Sequence, residues 1–120
     1  MTTSPNFNFL KNHHPVENYS IGQIIFTEGQ VGDVMYYIKS GEVQITLHGK
    51  TLVTLGVGEI FGEMALIESH IRFANAHAVT ECELIAINER DFNFLIQEHP
   101  YFALNVMRVL TERLRKKAES

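Results

Sequence analysis

All eight glycines of this chain, at positions 22, 29, 32, 41, 49, 56, 58 and 62, lie at or before residue 62, and none follows from Glu63 onward. Glycine supplies the left-handed and tight conformations that turns between short strands require, and it weakens helix interiors. A chain that spends its glycines this way is built from two unlike parts, a turn-rich β part and then a helical one. Between the glycines run short β-rich stretches, Gln23 to Phe26, Val34 to Ile38, Val43 to Leu47 and Leu52 to Leu55. The alternation is cleanest where Val43, Ile45 and Leu47 point one way and Gln44, Thr46 and His48 the other, as in a half-buried strand. Short strands at this spacing predict a β sandwich, barrel or roll.

Beyond the glycines, Glu63 to Ser69 reads as a brief helical turn, and Ala76 to Val79 and Leu84 to Ile87 as two more strands. From Asn88 the apolar period changes to that of a helix. Asn88 is a candidate N-cap with Asp91 three residues later in a capping-box position, and Phe92, Leu95 and Ile96 share a face. Pro100 separates this helix from a second, in which Phe102, Ala103, Val106, Val109, Leu110 and Leu114 form an apolar stripe too broad for a free helix. The expected fold is mainly β, a sandwich, barrel or roll with a short helix inserted and two C-terminal helices. Residues 1–18 are expected to form a flexible or partly packed arm, with Phe7, Phe9 and Leu10 as its packing candidates, and residues 19–120 the domain.

At 120 residues, 45% of them hydrophobic and 20% charged, the chain is one domain of ordinary globular composition. Its formal charge of −4 disfavours a polyanionic partner such as DNA or an anionic membrane. Charge is nevertheless unevenly placed: residues 108–120 hold five basic and two acidic side chains, which complements the negative end of a helix dipole and leaves a minor reading, an acidic partner. The single cysteine, Cys82, cannot form an internal disulfide, and no secretory leader or membrane-spanning stretch is evident. A cytoplasmic location is expected.

The most informative stretch is Gly58-Glu59-Ile60-Phe61-Gly62-Glu63-Met64-Ala65-Leu66-Ile67, followed by Arg72 and Ala74. A glycine opening a helical turn lets backbone N–H groups face an anion, and an arginine can grip two of its oxygens. A phosphate fits. Glu63 repels a phosphate but can accept a hydrogen bond from a sugar hydroxyl, so the pair together suggests a nucleotide.

Phe61-Gly62-Glu63-Met64-Ala65-Leu66 followed by Arg72-Phe73-Ala74 resembles the phosphate-binding cassette of the cyclic-nucleotide-binding domain family, found in catabolite activator protein, the regulatory subunit of cyclic-AMP-dependent protein kinase and nucleotide-gated channels. The run Gly22 to Gly29, then Met35-Tyr36-Tyr37-Ile38 and Ser40-Gly41-Glu42-Val43, is similar to the family's pattern in order and spacing. The resemblance implies an antiparallel, jelly-roll-like β-roll with a short cassette helix and two C-terminal helices, in which Arg72 pairs with the cyclic phosphate and Glu63 accepts from the ribose 2′-hydroxyl. It also implies that Gly62 permits close backbone approach and that N–H groups near Ala65 and Phe73 complete the cradle. Phe61, Met64 and Ala74 fall within the same expected site. For Gly29, Gly41 and Gly49 plain turn formation is expected.

Two positions depart from the family pattern: Ile71 stands where proline is frequent and Phe73 where a small, often hydroxylated residue is frequent. The Phe73 ring either narrows the pocket or leaves it while its N–H still serves. The missing hydroxyl favours cyclic AMP over cyclic GMP. The cassette implies a sensor that does no chemistry on its nucleotide and takes no other cofactor, and because no helix-turn-helix, kinase, channel or cyclase segment is evident after the domain, a stand-alone sensor is expected. Its output would pass through the last helix to an oligomer or a separate effector, with Met107, Leu110 and Leu114 as candidates for a lid over the base. The alternative is a degenerate roll that binds no nucleotide, pairs Glu63 internally with Arg72 and serves protein contacts. A metal enzyme on a cupin-like barrel is disfavoured because His48, His70 and His77 are isolated and no His-x-His pair occurs. A cysteine nucleophile is disfavoured because Glu81 and Glu83 flank Cys82 and oppose formation of a thiolate.

Overall fold

The computed structural model describes Phe7, residues 9–10 and residues 15–119. Among these residues the strands are β1 (Val16–Tyr19), β2 (Ile24–Phe26), β3 (Val34–Ser40), β4 (Val43–Leu47), β5 (Lys50–Leu55), β6 (Ile60–Phe61), β7 (Asn75–Ala78) and β8 (Cys82–Asn88). A π-type turn, Ala65–Ser69, lies between β6 and β7, and helices α1 (Glu89–Glu98) and α2 (Tyr101–Glu119) follow. The strands form two four-stranded antiparallel sheets, ordered β1-β8-β3-β6 and β2-β7-β4-β5. This is the mainly β fold expected from the glycine pattern, and the antiparallel roll with C-terminal helices that the resemblance implies.

The first sheet is buried on both faces. Met35 and Tyr37 of β3, Ile85 and Ile87 of β8 and Ile60 of β6 point towards the helices and pack with Leu95, Phe102 and Val106. The intervening Tyr36, Ile38, Leu84 and Phe61 point between the sheets and pack with Phe26, Val43 and Leu55 of the second sheet. Successive side chains on a strand face opposite ways, so a strand covered on both sides reads as a continuous apolar run, as Val34 to Ile38 does. The second sheet is covered on one face only, and β4 keeps its alternation.

α1 starts at the capping box anticipated at Asn88: the Asp91 N–H donates to Asn88 Oδ1 at 2.8 Å, and the Asn88 N–H is answered by the Asp91 carboxylate. Such a box stabilises a helix start by about 1 kcal/mol. β1 begins at Val16, inside the segment expected as an arm, and pairs along β8. Phe7 and Leu10 are buried against the helices, and the rings of Phe7, Phe9 and Phe92 lie 5.9, 5.8 and 5.2 Å from Phe102. Gly29, Gly41 and Gly49 sit at turns or bends with positive φ. No helix of the described residues is long and apolar enough to cross a membrane.

Candidate functional site

The cassette begins where β6 ends. Gly62 adopts φ +78°, a conformation costly for any residue with a Cβ, and it turns the chain into the 65–69 turn so that Glu63 is carried inward. Glu63 is only 4% exposed. The other end of the cassette is fixed by the loop between β2 and β3. The Gly29 N–H donates to the Arg72 carbonyl and the Arg72 N–H to the Gln30 carbonyl, each at 2.8 Å, Val31 bridges Ile71, and the Gly32 N–H donates to the His70 carbonyl at 2.8 Å. Arg72 therefore leaves a backbone zipped to the roll on both sides.

Its side chain is 5% exposed and runs across the loop it is zipped to. A Cβ on Gly32 would lie 2.2 Å from Arg72 Nε, so the guanidinium passes through space that only a glycine leaves open. Nη1 donates to the Gly62 carbonyl at 2.9 Å and Nη2 to the Val34 carbonyl at 2.8 Å. Cζ sits over the Phe26 ring, 4.2 Å from its centroid. Burial lowers the pKa of the guanidinium from its ordinary value, against opposing pulls from Tyr36, Asp33 and Glu63. An arginine nevertheless keeps its charge throughout the physiological range.

Glu63 is not the partner of Arg72. Its Oε1 accepts from Arg113 Nη1 at 2.9 Å, and Arg113 Nη2 donates to the Ile60 carbonyl. The internal Glu63–Arg72 pair that a nucleotide-blind roll would use is thus replaced by a tie between the cassette and α2. Of the other expected site residues, Phe61 and Ala65 are buried, Met64 is exposed, and Phe73 is 51% exposed, the arrangement in which its ring does not fill the interior. Among the lid candidates, Leu110 packs against the core on the helical side of the roll, while Met107 and Leu114 are exposed. Among the described residues, the α2 side chain that ion-pairs with the cassette is Arg113.

Arg113, Phe26 and Gly32 were not singled out by sequence. A signal for Arg113 exists: it stands seven residues after buried Val106 and follows Val109 and Leu110 on the core-facing stripe, where an arginine needs a buried acceptor. No comparable local signal marks Phe26 or Gly32, whose roles depend on a side chain about forty residues away in sequence. Among the described residues no three His, Cys, Asp or Glu side chains gather as a metal site would require.

Comparison with known proteins agrees with this geometry. Residues 16–99 match the family model described as "Cyclic nucleotide-binding domain". The chain is 40% identical over 103 residues to the cyclic AMP receptor protein of Thermus thermophilus, covering 82% of this chain and 48% of that one. The crystal structure of the Thermus thermophilus catabolite activator protein superposes with a TM-score of 0.82 at 35% identity, over 92% of this chain and 55% of that one. A c-di-GMP-responsive global regulator of Xanthomonas campestris superposes at 0.80 with 29% identity, over 92% and 58%. The chain thus spans about half the length of each of these relatives. With its roll, its cassette and 84 consecutive residues matched to the family model, the chain belongs to the cyclic nucleotide-binding domain family.

Proposed function

We propose that the chain binds a cyclic purine nucleotide, cyclic AMP in preference to cyclic GMP, without transforming it, and passes occupancy through α2 to an oligomer or a separate effector. The observation that carries this reading is Arg72: a cation 5% exposed, held by two carbonyls and a ring face, with no carboxylate ion-paired to it among the described residues. A buried charge without a counter-charge is expensive, and an anion arriving at it relieves that cost. A phosphate is such an anion. Glu63 supplies an acceptor for the ribose 2′-hydroxyl, and the cassette contains no activated nucleophile or acid–base pair to attack the ester. Phe73, with its ring half exposed, offers no hydroxyl to a guanine, which supports the preference for cyclic AMP. Met107 and Leu114, exposed on α2 beside partly buried Leu110, are available to cover a base or to meet a second protomer.

The test is calorimetric titration of refolded protein with cyclic AMP and cyclic GMP. Arg72→Ala should keep its fold and lose about 30-fold or more in affinity, as truncating one member of a buried charge pair does. Wild type should reject 2′-deoxy cyclic AMP, Glu63→Gln should discriminate much less, and incubation should return the nucleotide intact. Unchanged affinity in folded Arg72→Ala protein overturns the assignment.

A further inference from the structure

A buried arginine that must receive a phosphate faces conflicting demands. Its charge has to be supported while the site is empty, yet every N–H given to a protein acceptor is withdrawn from the ligand. A carboxylate partner would support the charge and compete with the phosphate. An aliphatic neighbour would leave the donors free and the charge unsupported. An aromatic ring laid on the guanidinium face meets both demands, because it interacts with the π-face and uses no N–H.

The β2 residue Phe26 occupies that position. Its ring is 4.2 Å from Arg72 Cζ, and the residue is 7% exposed. Two of the five guanidinium N–H groups go to the Gly62 and Val34 carbonyls, and among the described residues the other three have no hydrogen-bond acceptor. The ring is itself held in a stack: Phe26 lies 6.3 Å from Tyr36 at an interplanar angle of 25°, and Tyr36 lies 5.1 Å from Phe61 at 20°. Phe61 directly precedes Gly62, whose carbonyl accepts from Arg72. The ring support and the carbonyl support thus belong to one packed ladder, and the missing Cβ of Gly32 lets the guanidinium lie against that residue's backbone.

We propose that Phe26 is a positioning residue for anion capture, its ring face holding the Arg72 guanidinium in place with the remaining N–H groups directed to a phosphate. The proposal rests on the nucleotide-binding reading above. It concerns what readies the arginine, and the ring itself does not touch the nucleotide.

The experiment has two readouts. In nucleotide-free protein, NMR should find the Arg72 side-chain resonances shifted upfield by the ring, with the shift lost in Phe26→Leu and kept in Phe26→Tyr. In titrations with cyclic AMP, Phe26→Leu should lose about 5- to 30-fold in affinity, the range between an exposed and a desolvated cation–π contact, and Phe26→Tyr should stay within about twofold of wild type. In an Arg72→Ala background Phe26→Leu should cause no further loss, which separates positioning from general packing. Phe26→Met, nearer in volume, replaces the leucine variant if that fails to fold. Wild-type affinity in Phe26→Leu, or an equal loss with and without Arg72, overturns the proposal and leaves the nucleotide reading intact. A wild type that binds no cyclic nucleotide overturns both.

Discussion

Replacing Arg113 with methionine tests whether one charge pair fastens α2 to the roll. Glu63 is 4% exposed, its Oε1 is 2.9 Å from Arg113 Nη1, and the same guanidinium also satisfies the Ile60 carbonyl. Methionine removes both bonds and leaves a carboxylate buried without its cation. Breaking a fully buried pair from one side costs about 3–5 kcal/mol. The Arg113 side chain is 33% exposed, so water enters part of the gap and the expected loss is nearer 2–3 kcal/mol. For a domain of this length that corresponds to a fall in Tm of roughly 10 °C. The charge itself is isolated by the double variant Glu63→Gln/Arg113→Met, in which no buried carboxylate remains unpaired. Urea unfolding of the four proteins should show the double variant more stable than the sum of the singles by about 1–2 kcal/mol. Hydrogen exchange should rise in the last turns of α2 before it rises around Phe102 and Val106, which the core holds independently. Additivity of the two substitutions within about 0.5 kcal/mol refutes the assignment of a charge tie between the cassette and the helix.

Gly32→Ala should act on Arg72 almost alone: Gly32 has no positive φ, and the new Cβ would fall 2.2 Å from Nε and 2.5 Å from Cζ, so calorimetry should record about a tenfold or greater loss of cyclic AMP affinity with the fold retained. Burial raises the phenol pKa of Tyr19, Tyr36 and Tyr37, whereas in the unfolded chain tyrosine loses its proton near about pH 10. Above that pH the folded state holds more protons than the unfolded one, so melting temperature should fall as pH rises past about 10, and tyrosinate absorbance from these three should appear with unfolding and not before it. Tyr37 is fully buried and, among the described residues, its hydroxyl has no hydrogen-bond partner, so Tyr37→Phe should raise stability by about 1 kcal/mol in denaturant titration, and a loss would show that the hydroxyl has a stabilising role.

What was legible in the sequence was what local chemistry dictates. The confinement of glycine to residues 22–62 separated roll from helices, Asn88 with Asp91 marked the start of α1, and Pro100 marked the break before α2. Gly62, Glu63 and Arg72 stood out through the resemblance of Phe61 to Leu66 and Arg72 to Ala74 to the family's cassette, because a glycine followed by a glutamate carries no signal alone. β1 escaped notice because Val16 to Tyr19 reads as a polar stretch, and its strand character comes from pairing with β8, more than sixty residues away. β6 is two residues long and is ordered by β3. The same reason hid the partners of the site charges. Glu63 meets Arg113 fifty residues later, and Arg72 meets the Val34 carbonyl thirty-eight residues earlier. Spacing on one element identifies a face, whereas a contact between elements is decided by topology.

The separation of the two buried charges has a consequence for signalling. Arg72 is held wholly by the roll, through the carbonyls of Gly62 and Val34 and the ring of Phe26. Glu63 is tied to α2 through Arg113. Under the proposed function, a nucleotide's sugar engages the group that holds α2, whereas its phosphate engages a group that feels the helix only through the charge of Glu63. A ligand shifts a conformational equilibrium by its differential affinity alone, so the ribose is expected to govern the response of α2 more than the phosphate does. Linkage makes the effect reciprocal: the factor by which releasing Arg113 changes the affinity for a 2′-hydroxylated nucleotide equals the factor by which that nucleotide changes the docking of the helix. For a 2′-deoxy nucleotide both factors should approach one, even though Arg72 still holds its phosphate.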